Sequence, residues 1–161
     1  MKKIFLFMAI VFSVATNAQV TKVSLQASGL TCSMCSNAIN KALNTLDFVL
    51  RVEADIKTYT FEISFKPNSH VDFDMIKKKV ENAGFTVSGF VATIHFNNVQ
   101  LINSQTLTIE DKTFHFTSKK DQSLNGAIKV KVLDKGFVSP KEFKRNAFAG
   151  LSPREYNATI I

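Results

Sequence analysis

The sequence predicts an α+β fold: a four-stranded antiparallel sheet with two helices on one face, then a small β-rich unit with short helices. Three observations lead there. Between residues 20 and 94, runs that alternate apolar and polar residues bracket two stretches whose apolar residues recur every three or four positions. Glycine and Pro-Asn-Ser breaks separate these runs. Past residue 94 the rhythm changes to short alternating runs divided by polar turns.

Residues 1–18 stand apart from the fold. Lys2 and Lys3 precede an unbroken apolar run from Ile4 to Phe12, and Thr16 and Ala18 supply small residues ahead of Gln19. That is the layout of a secretory signal peptide cleaved before Gln19. The run is shorter than the ~20 residues a membrane span needs, so no membrane anchor is expected after cleavage. The expectation is an exported chain, periplasmic or otherwise extracytoplasmic, divided into residues 1–18 (signal), 19–94 and 95–161.

The first strand is the alternating segment from Val20 to Ala27, ended by Ser28-Gly29. A loop through Cys32 and Cys35 comes next. Ile39, Ala42, Leu43 and Leu46 then fall on one helical face, giving a helix that starts near Cys35. Phe48–Ala54 reads as a second strand. Tyr59, Phe61, Ile63 and Phe65 alternate with polar residues as a third, broken by Pro67-Asn68-Ser69. Phe73, Ile76, Val80 and Ala83 mark a second helix, with Asp72 as N-cap and Gly84 as stop. Residues 85–94 return to strand. The order β-α-β-β-α-β is the split, ferredoxin-like arrangement.

In the second half, Val99–Ile102, Leu107–Ile109, Thr113–Thr117 and Ala127–Leu133 are strand candidates, suggesting an incomplete barrel. Ser139-Pro140-Lys141-Glu142-Phe143 and Ser152-Pro153-Arg154-Glu155-Tyr156 share one pattern. Serine at N-cap, proline at N1 and glutamate at N3 form a capping box, so each predicts a short helix.

The composition excludes several functions. At 45% hydrophobic and 20% charged residues, the chain is a globular one. Its two cysteines cannot build a disulfide scaffold or a four-thiolate zinc site. Removing Lys2 and Lys3 lowers the formal charge from +7 to +5. Lys77-Lys78-Lys79 is the densest charge run, read either as a solvated face or as a docking surface for an acidic partner. Export and the lack of aromatic–basic motifs argue against nucleic acid. No Ser-His-Asp set, paired carboxylates or phosphate loop can be placed, so no catalytic residues are assigned and the chain is not read as an enzyme. His70 falls in a turn-rich loop. His95 and His115 would meet on an outer face if their strands were neighbours.

The chemistry rests on Cys32 and Cys35. Two intervening residues let the loop curl so that both sulfurs face one point. The helix N-terminus offers free N–H groups and the positive end of its dipole, which favour thiolate. Two soft donors with no carboxylate or imidazole beside them suit Cu(I), Ag(I) or Hg(II), whereas zinc takes four ligands. The same spacing occurs in thioredoxin-like oxidoreductases, but here no tryptophan precedes the motif and no proline lies between the cysteines. A local structural disulfide is the other alternative. Export makes oxidation a real competitor, because a Cys32–Cys35 disulfide cannot hold Cu(I).

The stretch Gly29-Leu30-Thr31-Cys32-Ser33-Met34-Cys35, in this element order and ending in Ala83-Gly84-Phe85, resembles the heavy-metal-associated domain family over residues 20–94. The family includes copper chaperones, modules of copper-transporting ATPases and the periplasmic mercury-binding protein. The resemblance implies that Cys32 and Cys35 bind one ion in an exposed loop. It further implies transfer by ligand exchange to a partner's thiols, such as a copper-transporting ATPase or another CxxC protein, and it allows a metal-bridged dimer. Thr31, Met34 and Phe85 surround the pair in this reading. Leu30 stands where the family usually has methionine under the loop. Met34 is bulkier than the usual residue, and offers either a third soft ligand or an exposed contact. Phe85 takes the place where bacterial members often carry tyrosine.

Overall fold

Alternation builds the first strand, β1 (Ala18–Ser28), whose residues Val23, Leu25 and Ala27 are buried while Lys22, Gln26 and Ser28 face out. The computed structural model describes residues 18–117, 121–146 and 152–161. Of the expected signal segment, residues 1–18, all but Ala18 lie outside the described residues, and Ala18 begins β1. Helix α1 (Ser33–Leu43) leads to β2 (Val49–Asp55) and β3 (Thr60–Phe65), and α2 (Phe73–Asn82) leads to β4 (Thr86–Leu101). This is the expected β-α-β-β-α-β order, with strands arranged β2-β3-β1-β4. Ile39 and Leu43 of α1 and Phe73, Ile76 and Val80 of α2 bury the same side of that sheet. Asp72 caps α2 as expected: its carboxylate accepts the Met75 N–H at 2.9 Å.

Three features of the second half differ from the sequence reading. First, β4 does not stop at residue 94 but runs on to Leu101, absorbing most of the separate Val99–Ile102 strand. The expected boundary between residues 94 and 95 falls inside this strand. Its outer edge is paired along most of its length with β7 (Gln122–Val132), from Val91↔Lys131 to Leu101↔Gln122. Unpaired strand edges invite further pairing, and the second half supplies it.

Second, the β-rich half does not form a sheet of its own. β5 (Thr106–Ile109), β6 (Lys112–Phe116), β7 and β8 (Glu155–Ile160) extend the first sheet into one of eight strands, ordered β2-β3-β1-β4-β7-β8-β6-β5. Neighbours are antiparallel except β6 and β8.

Third, the two Ser-Pro pentads diverge. The first opens a helix, α3 (Pro140–Asn146), and the Ser139 hydroxyl accepts the Glu142 N–H at 3.3 Å. Glu142 itself turns to Lys131, 2.6 Å away, and does not reach back. The second pentad opens strand β8. Glu155 does reach back to the Ser152 N–H at 3.3 Å, but Arg154 sits at φ 67°, which a right-handed helix excludes. The residues just downstream decide the outcome. Tyr156 and Ala158 are buried and pair with β6 and β7, whereas Lys144-Arg145-Asn146 after the first pentad has nothing to bury. Tertiary pairing therefore decides between identical local signals.

One aromatic cluster joins the halves. The Phe73 ring lies 4.9 Å from Phe90 and 5.3 Å from Tyr156, and Phe137 lies 5.1 Å from Phe90 and 5.6 Å from Tyr156. Each such buried ring contributes about 2–3 kcal/mol through its apolar area.

Candidate metal centre

The thiol loop is assembled from both sides of the fold. Gly29, at φ 89°, turns the chain out of β1 through a left-handed conformation that suits glycine. Leu30 is buried, plugging the core under the loop. From the other side, Gly84 at φ 89° closes α2, with Phe85 N–H donating to the Val80 carbonyl at 3.2 Å and Gly84 N–H to Glu81 at 2.9 Å. This Schellman-type cap aims half-buried Phe85 at the loop, where its ring lies 3.9 Å from where a Gly29 side chain would begin.

Helix α1 begins earlier than its apolar stripe suggests. Cys32 is its N-cap, in extended conformation, and Cys35 is three residues on, its N–H donating to the Cys32 carbonyl at 3.1 Å. These are the two positions that a capping box uses for side-chain oxygens, so sulfur replaces oxygen at a site suited to negative charge. The Sγ atoms lie 3.0 Å apart as free thiols, with Cys32 exposed and Cys35 half-buried. The Cys35 thiol is held below its ordinary value, first by the hydrogen bond with Cys32 and then by the Thr31 backbone N–H. No acidic residue occupies the first turn to oppose this. Among the described residues, no cluster of three or more histidine, cysteine or carboxylate groups is placed to hold a metal. The pair offers two sulfurs, a donor set for a soft ion of low coordination number.

Thr31 and Met34 are exposed on this loop, Met34 at 81% of its surface. The lysine run is split. Lys77 forms an ion pair with Asp74 at 2.8 Å and lies 4.6 Å over the Phe137 ring, Lys78 is exposed and Lys79 is half-buried. His95 and His115 do not meet, because β7 and β8 lie between their strands. His115 Nδ1 instead contacts Thr106 Oγ1 at 3.0 Å. His70 approaches Asp111 at 3.0 Å.

Two features escaped the sequence reading. Ser36, one residue past Cys35, is buried with no hydrogen-bond partner for its hydroxyl. Its position three residues before Ile39 on the apolar stripe was the available signal. Tyr59 belongs to the turn before β3, at φ 53° and exposed, so the alternation holds only from Phe61.

A thiol pair at a helix start, on a two-helix, four-strand sheet, defines a soft-cation binding module. Residues 24–86 match the family model of the heavy-metal-associated domain, and this stretch is such a domain. It is similar to a probable copper-transporting ATPase of Arabidopsis thaliana, 33% identical over 69 residues, covering 43% of this chain and 7% of the relative. It is also similar to a probable copper-exporting P-type ATPase of Archaeoglobus fulgidus, 33% identical over 64 residues, covering 40% of this chain and 8% of the relative. The chain thus spans less than a tenth of the length of these ATPases. Among solved structures, the yeast copper transporter domain Ccc2a is 32% identical, with 40% of this chain and 88% of that one covered at a TM-score of 0.37.

Proposed function

We propose that the protein is an exported Cu(I) carrier, a chaperone or scavenger and not an enzyme. It binds one ion between Cys32 and Cys35 and passes it on by ligand exchange. The observation that carries this reading is the thiol pair at a helix N-terminus, Cys32 exposed and Cys35 half-buried, 3.0 Å between sulfurs and with no carboxylate in the first turn. The names of the related ATPases support copper over other soft ions, and a copper-transporting ATPase or another CxxC protein is the proposed donor or acceptor. Ag(I) and Hg(II) would fit the same two sulfurs. Export rests on the layout of residues 1–18. Residues 19–94 carry the metal chemistry, and residues 95–161 support it by extending the sheet.

The stepwise exchange keeps sulfur on the ion throughout. An incoming thiolate adds to the two-coordinate ion as one outgoing sulfur leaves, so a charged ion never faces bare solvent. Anaerobic titration of reduced protein with Cu(I) should saturate at one equivalent. Uptake with no defined end point, or catalytic disulfide exchange by the same sample, would refute the carrier reading. Intact mass of the exported protein should place its N-terminus at Gln19.

A further inference from the structure

The basic charge of the chain is unevenly divided. Residues 95–161 hold ten lysines and arginines against six carboxylates, whereas residues 19–94 hold eight against seven. Several cations of the second half are spent inside the fold. Lys112 is buried against Asp111 and Glu110, Arg154 meets Asp111, and Lys131 meets Glu142. Lys129, Lys141, Lys144 and Arg145 are exposed.

The sheet gathers these exposed cations. Helices α1 and α2 cover one of its sides. On the other side, the register places Lys22, Thr93 and Lys129 in one row across β1, β4 and β7. Gln19, His95 and Ala127 form the neighbouring row. Lys22 and Lys129 are two strands apart, which sets their backbones about 10 Å from each other. Lys131 shares this face with Lys129, since Val130 and Val132 point into the core. Its 2.6 Å bond to Glu142 draws α3, with Lys141, Lys144 and Arg145, to the same side. The opposite sign is kept to the far strands, where Glu53 and Glu62 pair across β2 and β3.

We propose that the helix-free face of the sheet, from Lys22 across Lys129 to Lys144 and Arg145 on α3, docks the protein on an anionic phospholipid surface. Charge complementarity selects an anionic partner, and the layout of the face selects lipid over protein. A protein interface has an apolar centre inside a polar rim. Here the order is reversed. Lysine, threonine, histidine and alanine fill the two rows, and exposed Ile161, whose N–H donates to the Lys129 carbonyl at 3.1 Å, lies to one side of them. Mobile headgroups need no groove and no matching apolar knob, only cations within a Debye length of the surface. Each such cation strengthens binding about fivefold. With this face down, α1 and α2 point away from the lipid, and the Cys32–Cys35 loop between β1 and α1 stays open to a partner. The docking needs no metal ion, so it stands apart from the carrier reading.

Co-sedimentation of the exported protein with vesicles tests this. Vesicles of equal parts phosphatidylglycerol and phosphatidylcholine should bind it at low salt and release it at high salt, and vesicles of phosphatidylcholine alone should not bind it. Lys129→Glu combined with Lys144→Glu should weaken binding at least tenfold while keeping the wild-type unfolding midpoint. Lys78→Glu, an equal loss of an exposed lysine on α2, should leave binding within about twofold of wild type. A Lys78→Glu protein weakened as much as a Lys129→Glu protein would show attraction to the chain as a whole and overturn the proposal. Binding that survives high salt or needs no phosphatidylglycerol would point to insertion of residues 4–12, and overturns it too. No vesicle binding, together with binding of polyglutamate, would give the face to an acidic protein instead.

Discussion

The two ends of the sheet treat polar groups in opposite ways. At the end where β1 exits, an exposed and a half-buried sulfur have only each other and the adjoining Thr31 and Cys32 as partners. At the end where β1 begins, Lys112 is 1% exposed, with Nζ 2.6 Å from Asp111 and 3.5 Å from Glu110 and 5.5 Å over the Phe73 ring. Asp111 also meets His70 at 3.0 Å and Arg154 at 3.2 Å, and Glu110 accepts the Val20 N–H at 3.3 Å. These partners come from the start of β1, the loop before α2, the β5–β6 turn and the turn before β8. One end leaves two sulfur donors that the fold itself does not use. The other uses its charges to tie the two halves of the sequence together. The thiol pair and the ion-pair cluster thus lie at opposite ends of β1, and substitutions at one end should spare the other.

The largest expected loss of stability comes from Lys112→Ala. It removes the buried cation that Asp111 and Glu110 share, leaving Asp111 to His70 and Arg154 and Glu110 to the Val20 N–H, which costs about 3–4 kcal/mol. Chemical denaturation should record that loss, while Cu(I) affinity stays within about twofold of wild type as long as the chain is folded. Phe137→Ala comes next, at about 3 kcal/mol, because it removes a ring packed on Phe90 and Tyr156 and uncovers Lys77. A Phe137→Ala protein that lost metal affinity along with stability would break the separation of the two ends.

A smaller effect concerns pH. Burial by itself would raise the Asp111 carboxyl, but the Lys112 hydrogen bond and the charges of Lys112 and His70 outweigh it and hold the group below its ordinary value. A carboxyl lowered in the folded state adds stability above its unfolded value and loses it as pH falls through the folded one. Asp134 runs the other way. Burial raises it against the hydrogen bonds from Asn157, so its ionisation opposes folding and acidification relieves it. Asp111→Asn should therefore flatten the acid limb of the stability curve, measured by denaturation at stepped pH. An unchanged acid limb would show that the Asp111 network does not tie the halves together.

Much of the thiol end was legible in the sequence, because its determinants are local. Gly29, Asp72 and Gly84 act through their own backbone or side chain within a few residues, and the spacing of Cys32 and Cys35 by itself brings the two sulfurs together. The other end was not. Lys112 reads as one more surface lysine until β5, β6 and β8 bring its partners together, and nothing near it in sequence marks it as buried. The second Ser-Pro pentad shows the same limit. Its capping signal is as good as the first, but the fate of Tyr156 depends on β6 and β7, some 25 to 40 residues upstream. Ferredoxin-like order was readable from periodicity in the first half. The continuation of β4 past residue 94 was not, since it depends on β7 lying alongside.

The central claim is that Cys32 and Cys35 hold the ion at an end that the fold does not need for its stability. Chelator competition for Cu(I) on wild type and Cys32→Ser, with thermal unfolding of both, tests it most directly. Cys32→Ser is expected to lose tight binding and keep the wild-type unfolding midpoint. Retained affinity in Cys32→Ser, or a collapse of its midpoint, would contradict the claim.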